Sequence, residues 1–170
     1  MEYTCIDLER FEQIAVVTLN RPEVMNALNG TIMKEIEAVS RSFLDDEQTD
    51  LVISLNILSQ LPILPSLYLE EHLRINQDDI QTMSRTIIER HLDYLARFSG
   101  TVCLITDIER EIFDSSGKTI RRFSALNEVP FPWKSETWIW EIAPLGEESL
   151  DYCVRHKVAG IPSLKDAVIR

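Results

Sequence analysis

Two short apolar runs flank an amphipathic helical pattern in the first third of the chain, and this order limits the folds open to it. Residues 14–19 are rich in β-branched side chains and end at Asn20-Arg21-Pro22, which is typical of a strand closed by a proline turn. From residue 31 apolar side chains recur at spacings of three and four, which predicts a helix with one apolar stripe: Ile32, Ile36, Val39 and Phe43. Asn29 or Thr31 is the expected N-cap.

The second apolar run, residues 51–55, has the composition of a strand that is covered on both faces in a parallel sheet. Strand, helix and strand in this order predict a βαβ unit, whose crossover is expected to be right-handed. Later, a helix is predicted from Asn76 to Phe98, and strands over residues 101–106, 138–142 and 154–161. The sequence therefore predicts one α/β domain over residues 1–170, a three-layer sandwich with a mostly parallel sheet and an antiparallel C-terminal strand pair.

The acidic balance of the chain disfavours two classes of partner. The 170 residues carry a formal net charge of -11, which repels nucleic-acid phosphates and anionic membrane surfaces. The apolar stretch over residues 51–69 is interrupted by polar and proline residues, so it does not predict a membrane span. We therefore expect a small-molecule ligand, no nucleic acid and no membrane.

The cysteines favour a reducing compartment. Cys5, Cys103 and Cys153 lie far apart, form no Cys-x-x-Cys pair, and would leave one thiol over if two were bridged. The N-terminus also lacks the basic, apolar and small-residue regions of a signal peptide. A cytoplasmic location is the expectation.

Residues 3–50 resemble the N-terminus of the crotonase superfamily, the enoyl-CoA hydratases and isomerases. The resemblance is carried by IAVVTLNRPEVMNALN at residues 14–29, followed by the predicted helix and a short acidic loop. It implies that Asn26, Ala27 and Leu28 help to hold coenzyme A. The family's oxyanion hole comes from a glycine- and alanine-rich loop and a later glycine pair, and the chain has neither, so this segment is expected to supply a strand and a helix only.

Residues 50–170 resemble the C-terminal half of a class I S-adenosylmethionine-dependent methyltransferase. DLVISLNILSQL at residues 50–61 is similar to that family's fourth strand and following loop, and GTVCLITD at residues 100–107 is similar to its fifth strand. The resemblance implies Rossmann-like methyltransferase topology in this part, with the last two strands as the closing antiparallel pair.

Ligands of such sheets bind beyond the carboxyl ends of the strands, so Ser54, Asn56 and Gln60 are expected to face a cofactor or substrate. Asn56 is the first choice, although its amide is equally suited to cap a loop. In that family the N-terminal half binds the cofactor, and it does so with a glycine-rich turn after the first strand. The five glycines of the chain are isolated from one another, so they build no such turn.

Two further clusters each have two interpretations. Four acidic residues are expected to form a rim after the strand at residues 101–106, as a site for a divalent ion or cationic substrate or as solvated charges: Asp107, Glu109, Glu111 and Asp114. An aromatic cluster predicts either a core patch or a flat platform for a ligand or protein: Phe131, Trp133, Trp138 and Trp140. The three histidines have no metal-ligand spacing, so no metal site is predicted: His72, His91 and His156.

These observations lead to three functional hypotheses. The first is a chimeric or truncated α/β protein with no complete active site of either parent family, which retains binding of an adenine-containing cofactor and self-associates through a sheet edge left open by missing strands. The second is an S-adenosylmethionine-dependent methyltransferase. The third is a protein that binds coenzyme A thioesters, with or without hydratase or isomerase chemistry.

Overall fold

The computed structural model describes residues 3–12, 14–24, 29–44, 46 and 49–167. The chain divides into two compact units, residues 1–49 and residues 50–170. The boundary coincides with the point near Asp50 where the sequence predicts that one segment ends and another begins. The expectation of a single domain over the whole chain stays a prediction, and each unit is described by itself.

The first unit consists of a β-hairpin and one helix. Strand β1 (Ile6–Phe11) pairs antiparallel with strand β2 (Ile14–Leu19), and helix α1 spans Gly30–Leu44. The predicted apolar stripe of α1 packs against the start of the hairpin, in a core formed by Cys5, Ile6, Ile32 and Val39. This arrangement confirms the predicted strand and helix of the segment.

Side-chain hydrogen bonds hold both ends of this packing. Asn29 is the N-cap of α1, because its Oδ1 accepts hydrogen bonds from the N–H groups of Thr31 at 3.0 Å and Ile32 at 2.9 Å. Glu35 accepts hydrogen bonds from the N–H groups of Thr4 and Cys5, each at 2.8 Å. Burial raises the pKa of Glu35, but these hydrogen bonds outweigh it and hold the pKa below its ordinary value.

The second unit is built on a five-stranded mixed sheet. Its strands are β3 (Leu51–Leu55), β4 (Thr101–Phe113), β5 (Thr119–Ser124), β6 (Glu136–Ala143) and β7 (Cys153–Ile161). The order is β3-β4-β7-β6, and β5 pairs with the C-terminal half of β4. Strands β3 and β4 are parallel, whereas the pairs β4–β5, β4–β7 and β6–β7 are antiparallel.

Helices connect the two parallel strands. Helix α2 (Ile63–Tyr68) runs into a π-helical turn at Leu69–Leu73, and helix α3 spans Gln77–Ala96. Asn76 caps α3 as the sequence predicts, since its side chain accepts a hydrogen bond from the N–H of Asp79 at 2.9 Å. The buried apolar stripe of α3 consists of Ile80, Ile88 and Leu95.

Three sequence predictions about the architecture are wrong. Strand β2 and strand β3 do not form a βαβ unit: β2 pairs with β1 in its own sheet, because a hairpin satisfies its backbone locally. The sheet of the second unit is mixed rather than mostly parallel, since β3–β4 is the only parallel pair among its described strands. The expected cover on both faces of β3 is wrong too, because Leu51, Ile53 and Leu55 are 57–60% exposed and no described element of the second unit covers them.

Other strand predictions hold with different lengths. The predicted strands at residues 138–142 and 154–161 are β6 and β7, and the predicted antiparallel C-terminal pair is present. Strand β4 continues seven residues beyond the predicted end at residue 106. The turn after it has Gly117 at φ +84°, the left-handed conformation that favours glycine. Helix α2 and strand β5 were not predicted.

Candidate functional site

A pocket of about 360 Å³ lies on one face of the second unit's sheet, at the carboxyl end of β3 and beside Ile105 of β4. We call it the Trp pocket, and its lining residues are Leu55, Asn56, Ile105, Trp138, Ile139, Trp140 and Val158. Leu55 and Ile105 are register partners in the β3–β4 pair, and Trp138 and Val158 are partners in the β6–β7 pair. The pocket is mostly apolar, and its volume is within the range typical of small-molecule sites.

Asn56 is the polar side chain of this lining. It follows β3 with φ +54°, a left-handed conformation that asparagine tolerates better than most residues. Its N–H donates a hydrogen bond to the carbonyl of Ile105 at 2.7 Å, which fixes the backbone at this point. Its side-chain Oδ1 is buried and has no hydrogen-bond partner within the described part of the chain. An unpaired acceptor of this kind costs about 1–3 kcal/mol unless a ligand or water pairs with it.

Two indole rings form one wall of the Trp pocket. Trp138 and Trp140 are two residues apart on β6, so both side chains project from the same face of the sheet. They are 43% and 48% exposed. Gly160 lies beside Trp138, and a Cβ at this position would be 3.0 Å from the indole atom Cζ3. The absence of a side chain at residue 160 therefore makes room for the ring.

Phe131 and Trp133, the other members of the aromatic cluster, pack edge to face with ring centroids 5.3 Å apart. They do not line the Trp pocket. The four aromatic residues therefore do not form one cluster. Phe131 and Trp133 pack against each other, whereas Trp138 and Trp140 form a wall of the Trp pocket.

A buried polar cluster adjoins the Trp pocket. Asp107 and His156 lie on neighbouring strands β4 and β7, and Oδ2 of Asp107 is 3.0 Å from Nδ1 of His156. Their side chains are 4% and 12% exposed. The hydroxyl of Ser59 is 3.4 Å from the same Oδ2. Oδ1 of Asp107 and both ring nitrogens of His156 are buried and make no hydrogen bond within the described chain.

The register connects this cluster to the pocket. Asp107 is the β4 partner of Val158, and His156 is the β7 partner of Trp140. Both partners line the Trp pocket. Because register partners project from the same face of a sheet, the Asp107–His156 pair lies beside the pocket on the pocket face.

The predicted acidic rim is wrong, because Asp107, Glu109 and Glu111 lie inside β4 rather than after a strand. The β-bulge between Asp107 and Glu109 turns their side chains to different faces. Glu111 is 6% exposed and paired with Arg155 and Arg122. The hydrogen bonds from Arg155 and Thr119, with that from Arg122, outweigh burial and lower the pKa of Glu111 to about 2.

Asp114, the fourth residue of the predicted acidic rim, accepts hydrogen bonds within the turn after β4. Its Oδ1 accepts hydrogen bonds from Ser116 and from the N–H of Lys118 at 3.0 Å. These bonds lower the pKa of Asp114 from its ordinary value. The acidic residues thus have separate structural partners, and the described part of the chain contains no group of three or more His, Cys, Asp or Glu residues arranged to hold a metal ion.

The structure separates the three residues that were expected to face a ligand. Asn56 lines the Trp pocket. Ser54 points to the opposite face of the sheet, where its hydroxyl is 3.2 Å from Nε2 of His91 on α3. Gln60 is exposed in the turn before α2, and its N–H donates to the carbonyl of Ile57 at 2.9 Å. Asn26, Ala27 and Leu28, the expected coenzyme A contacts, lie outside the described residues, so their role stays a prediction.

The pairing of Asp107 with His156 was missed by sequence reasoning. The two residues are far apart in the sequence, and neither belongs to a local motif. The pairing follows from the β4–β7 register, which no short-range pattern specifies.

Over the described residues, the helices include none that is both long enough and apolar enough to cross a bilayer.

Comparison with known proteins gives a short partial similarity to enoyl-CoA hydratases. A probable enoyl-CoA hydratase of Mycobacterium bovis is 36% identical over 53 residues, which are 31% of this chain and 21% of that protein. A probable enoyl-CoA hydratase of Rhizobium meliloti is 32% identical over 53 residues, with the same coverage of 31% and 21%. No family profile and no solved structure matches.

These values define how far the similarity reaches. The match spans only 21% of the length of these relatives, so it covers one segment of an enzyme of this kind. It supports a crotonase-like segment in this chain. Nothing in the comparisons supports the methyltransferase resemblance.

Proposed function

We propose that residues 50–170 bind a planar, adenine-containing ligand in the Trp pocket, and that the chain has no complete active site of either parent family. The observation that carries this proposal is the buried, unpaired Oδ1 of Asn56 in an aromatic pocket at the carboxyl end of β3, beside the parallel strand β4. Ligands of α/β sheets characteristically bind at this end of the strands.

Adenine can form hydrogen bonds with Asn56 and stack on the indole rings of this pocket. Its exocyclic amine donates a hydrogen bond that suits the Oδ1 acceptor of Asn56, and a ring nitrogen accepts one from the side-chain NH₂, the two-bond pattern by which asparagine recognises adenine in nucleic acids. Its flat π-system suits the exposed faces of Trp138 and Trp140. Stacking of a base on an aromatic side chain contributes about 1–3 kcal/mol.

The charge of the protein favours one adenine-containing ligand over another. The net charge of -11 attracts cations and repels anions. S-adenosylmethionine carries a sulfonium cation and S-adenosylhomocysteine is a neutral thioether without phosphate groups, whereas coenzyme A carries several phosphate charges. We therefore propose S-adenosylmethionine or its product S-adenosylhomocysteine as the ligand of the Trp pocket.

The strand order is consistent with the methyltransferase-like part of this proposal. The resemblance implies parallel strands at residues 50–61 and 100–107 and an antiparallel closing pair. The parallel β3–β4 pair and the antiparallel β4–β7–β6 arrangement support this topology. We propose that the chain joins a crotonase-like segment, residues 1–49, to a methyltransferase-like segment, residues 50–170.

Ligand-induced thermal stabilisation tests the proposal. A ligand that binds only the folded protein raises the free energy of unfolding by RT ln(1 + [L]/Kd). We expect S-adenosylhomocysteine to raise the melting temperature of the full chain and coenzyme A to leave it unchanged. Absence of any shift at millimolar S-adenosylhomocysteine would contradict the proposal.

A matched pair of variants localises the binding. Asn56→Gly removes the amide and keeps a residue that adopts positive φ without strain, so the backbone hydrogen bond to Ile105 is retained. Gln60→Ala removes an exposed side chain four residues later that does not line the pocket. The thermal shift should be lost in Asn56→Gly and retained in Gln60→Ala.

Binding of a coenzyme A thioester is the second candidate, because the similarity to enoyl-CoA hydratases favours it. It predicts a thermal shift with coenzyme A that survives Asn56→Gly and is lost in Asn26→Ala. A shift with coenzyme A but none with S-adenosylhomocysteine would replace the first proposal with this one.

A further inference from the structure

The two indole rings of the Trp pocket are open to a ligand. Trp138 and Trp140 are 43% and 48% exposed, although they line an apolar pocket. Elsewhere in the second unit the guanidinium groups of Arg121 and Arg155 lie over phenylalanine rings, 5.5 Å and 4.6 Å from the ring centroids. Within the described residues no cation lies over either indole ring in this way. Tryptophan is the side chain whose ring face attracts cations most strongly.

The charges around this wall favour a cation. Glu136 lies two residues before Trp138 on β6, so its side chain projects from the same face of the sheet, and it is exposed. Arg110, which the register places two strands away from Trp140, is paired with Glu148 at 2.6 Å. The residues that line the pocket carry no charge. Because the chain has a net charge of -11, the potential at the pocket attracts cations.

The lining also distinguishes between kinds of cation. A primary ammonium group has three N–H donors, and each needs an acceptor when it leaves water. Asn56 supplies the only side-chain acceptor among the residues that line the pocket, and its Oδ1 is buried. A cation whose charge is covered by methyl groups has no donor to satisfy. Its methyl groups suit the apolar side chains of Leu55, Ile105 and Val158.

We propose that Trp138 and Trp140 form a binding site for a methylated onium cation, which is a quaternary ammonium or a sulfonium group, held over the faces of the indole rings. Aromatic side chains recognise quaternary ammonium groups in other proteins by this attraction. The proposal rests on the proposed function, since it uses the same pocket, and adds that the ligand carries a positive charge covered by methyl groups.

Choline, 3,3-dimethylbutan-1-ol and ethanolamine test the proposal with the full chain. The first two have the same shape and differ in charge, whereas ethanolamine is a cation with N–H donors instead of methyl groups. Proton NMR titration gives the affinity of each, and methyl protons that lie over an indole face shift upfield. We expect choline to bind about tenfold more tightly than either of the others. Equal affinity for choline and the alcohol, or for choline and ethanolamine, would overturn the proposal.

Variants locate the cation at the indole wall. Trp140→Leu keeps an apolar side chain and removes the ring face, so we expect the choline affinity to fall about tenfold and Trp140→Phe to restore part of it. Trp133→Leu is the matched control, because Trp133 packs against Phe131 and does not line the pocket, and it should bind choline as the unmodified chain does. Unchanged choline affinity in a folded Trp140→Leu would contradict the proposal. If Trp140→Leu does not fold, the comparison of choline with the alcohol on the unmodified chain still decides.

Two nucleosides identify the source of the cation, because S-adenosylmethionine is a sulfonium and S-adenosylhomocysteine is not. A preference for choline over the alcohol, with S-adenosylmethionine bound at least about fivefold more tightly than S-adenosylhomocysteine, supports a sulfonium ligand. The same preference with equal affinities for the two nucleosides supports a quaternary ammonium ligand.

The adenine proposal is decided separately, by the thermal shift with S-adenosylhomocysteine, which carries no onium group, and by Asn56→Gly. A thermal shift without a preference for choline would overturn the onium site alone. A preference for choline without a thermal shift would support the onium site and contradict the adenine site.

Discussion

Nε of Arg155 lies 2.6 Å from Oε2 of Glu111 across the β4–β7 pair, and the Glu111 side chain is 6% exposed. The guanidinium of Arg155 also lies over the ring of Phe113, 4.6 Å from its centroid. Thr119 and Arg122 donate further hydrogen bonds to Glu111. This carboxylate therefore ties β4 to two of its three neighbours, β5 and β7.

Glu111→Gln should lower the free energy of unfolding by about 2–3 kcal/mol at pH 7, because it leaves the Arg155 guanidinium beside a neutral partner. Glu109→Gln on the same strand is the control; Glu109 is 34% exposed and pairs with Arg122 at 3.2 Å, so a much smaller loss is expected. Urea denaturation of both variants measures the difference. Equal losses would contradict the assigned role of Glu111.

The contribution of Glu111 should depend on pH in a defined window. Its pKa in the folded protein is about 2, below the ordinary value of 4.5. A lowered carboxyl pKa contributes stability that is fully present above pH 4.5 and is lost as the pH falls through about 2. The stability difference between the unmodified chain and Glu111→Gln should therefore shrink from pH 5 to pH 2.

His91 should make the second unit less stable in mild acid. Burial lowers the pKa of His91 from its ordinary value of 6.5, so below that pH the unfolded chain binds a proton more readily than the folded one. Unfolding measured from pH 7.5 to pH 5.5 should show a loss of stability that His91→Gln reduces. His72→Gln in the exposed turn is the control and should keep the slope of the unmodified chain.

Gly160 should control the position of the Trp138 ring. An alanine Cβ at residue 160 would be 3.0 Å from Cζ3 and 3.3 Å from Cη2 of Trp138, so the indole must shift. Because this ring is 43% exposed and can move, we expect a stability change within about 1 kcal/mol but a changed tryptophan emission spectrum. In the background of Trp138→Phe, the smaller ring should make Gly160→Ala nearly silent. An identical effect in both backgrounds would contradict the contact.

Self-association through a sheet edge stays a prediction, and β3 is the edge strand that we expect to mediate it. Strand β3 pairs only with β4 among the described strands, and its side chains at Leu51, Ile53 and Leu55 are exposed. An apolar edge strand is a template for pairing with a second copy of the chain. Light scattering after size exclusion should give a mass above the monomer that Ile53→Lys reduces. A monomer at high concentration for the unmodified chain would end this prediction.

Local sequence signals were sufficient for elements whose determinants are close in the chain. The start of α3 at Asn76, the N-cap of α1 at Asn29 and the apolar stripe of α1 depend on contacts within a few residues, and the structure contains all three. The strands β6 and β7 could be predicted for the same reason. Helix α2 follows Pro62, and this proline-containing segment did not predict a helix.

Only the tertiary structure decided which strands pair and which side chains meet. Strand β2 pairs with β1 instead of β3, and Asp107 meets His156 through the register of β4 and β7. A strand pattern repeats every two residues, so it fits several partners and registers equally well until the whole sheet is assembled. The amino-acid order by itself determined the helix caps, the isolated glycines and the acidic charge. The fold determined that Asn56 faces a pocket and that Ser54 faces a helix.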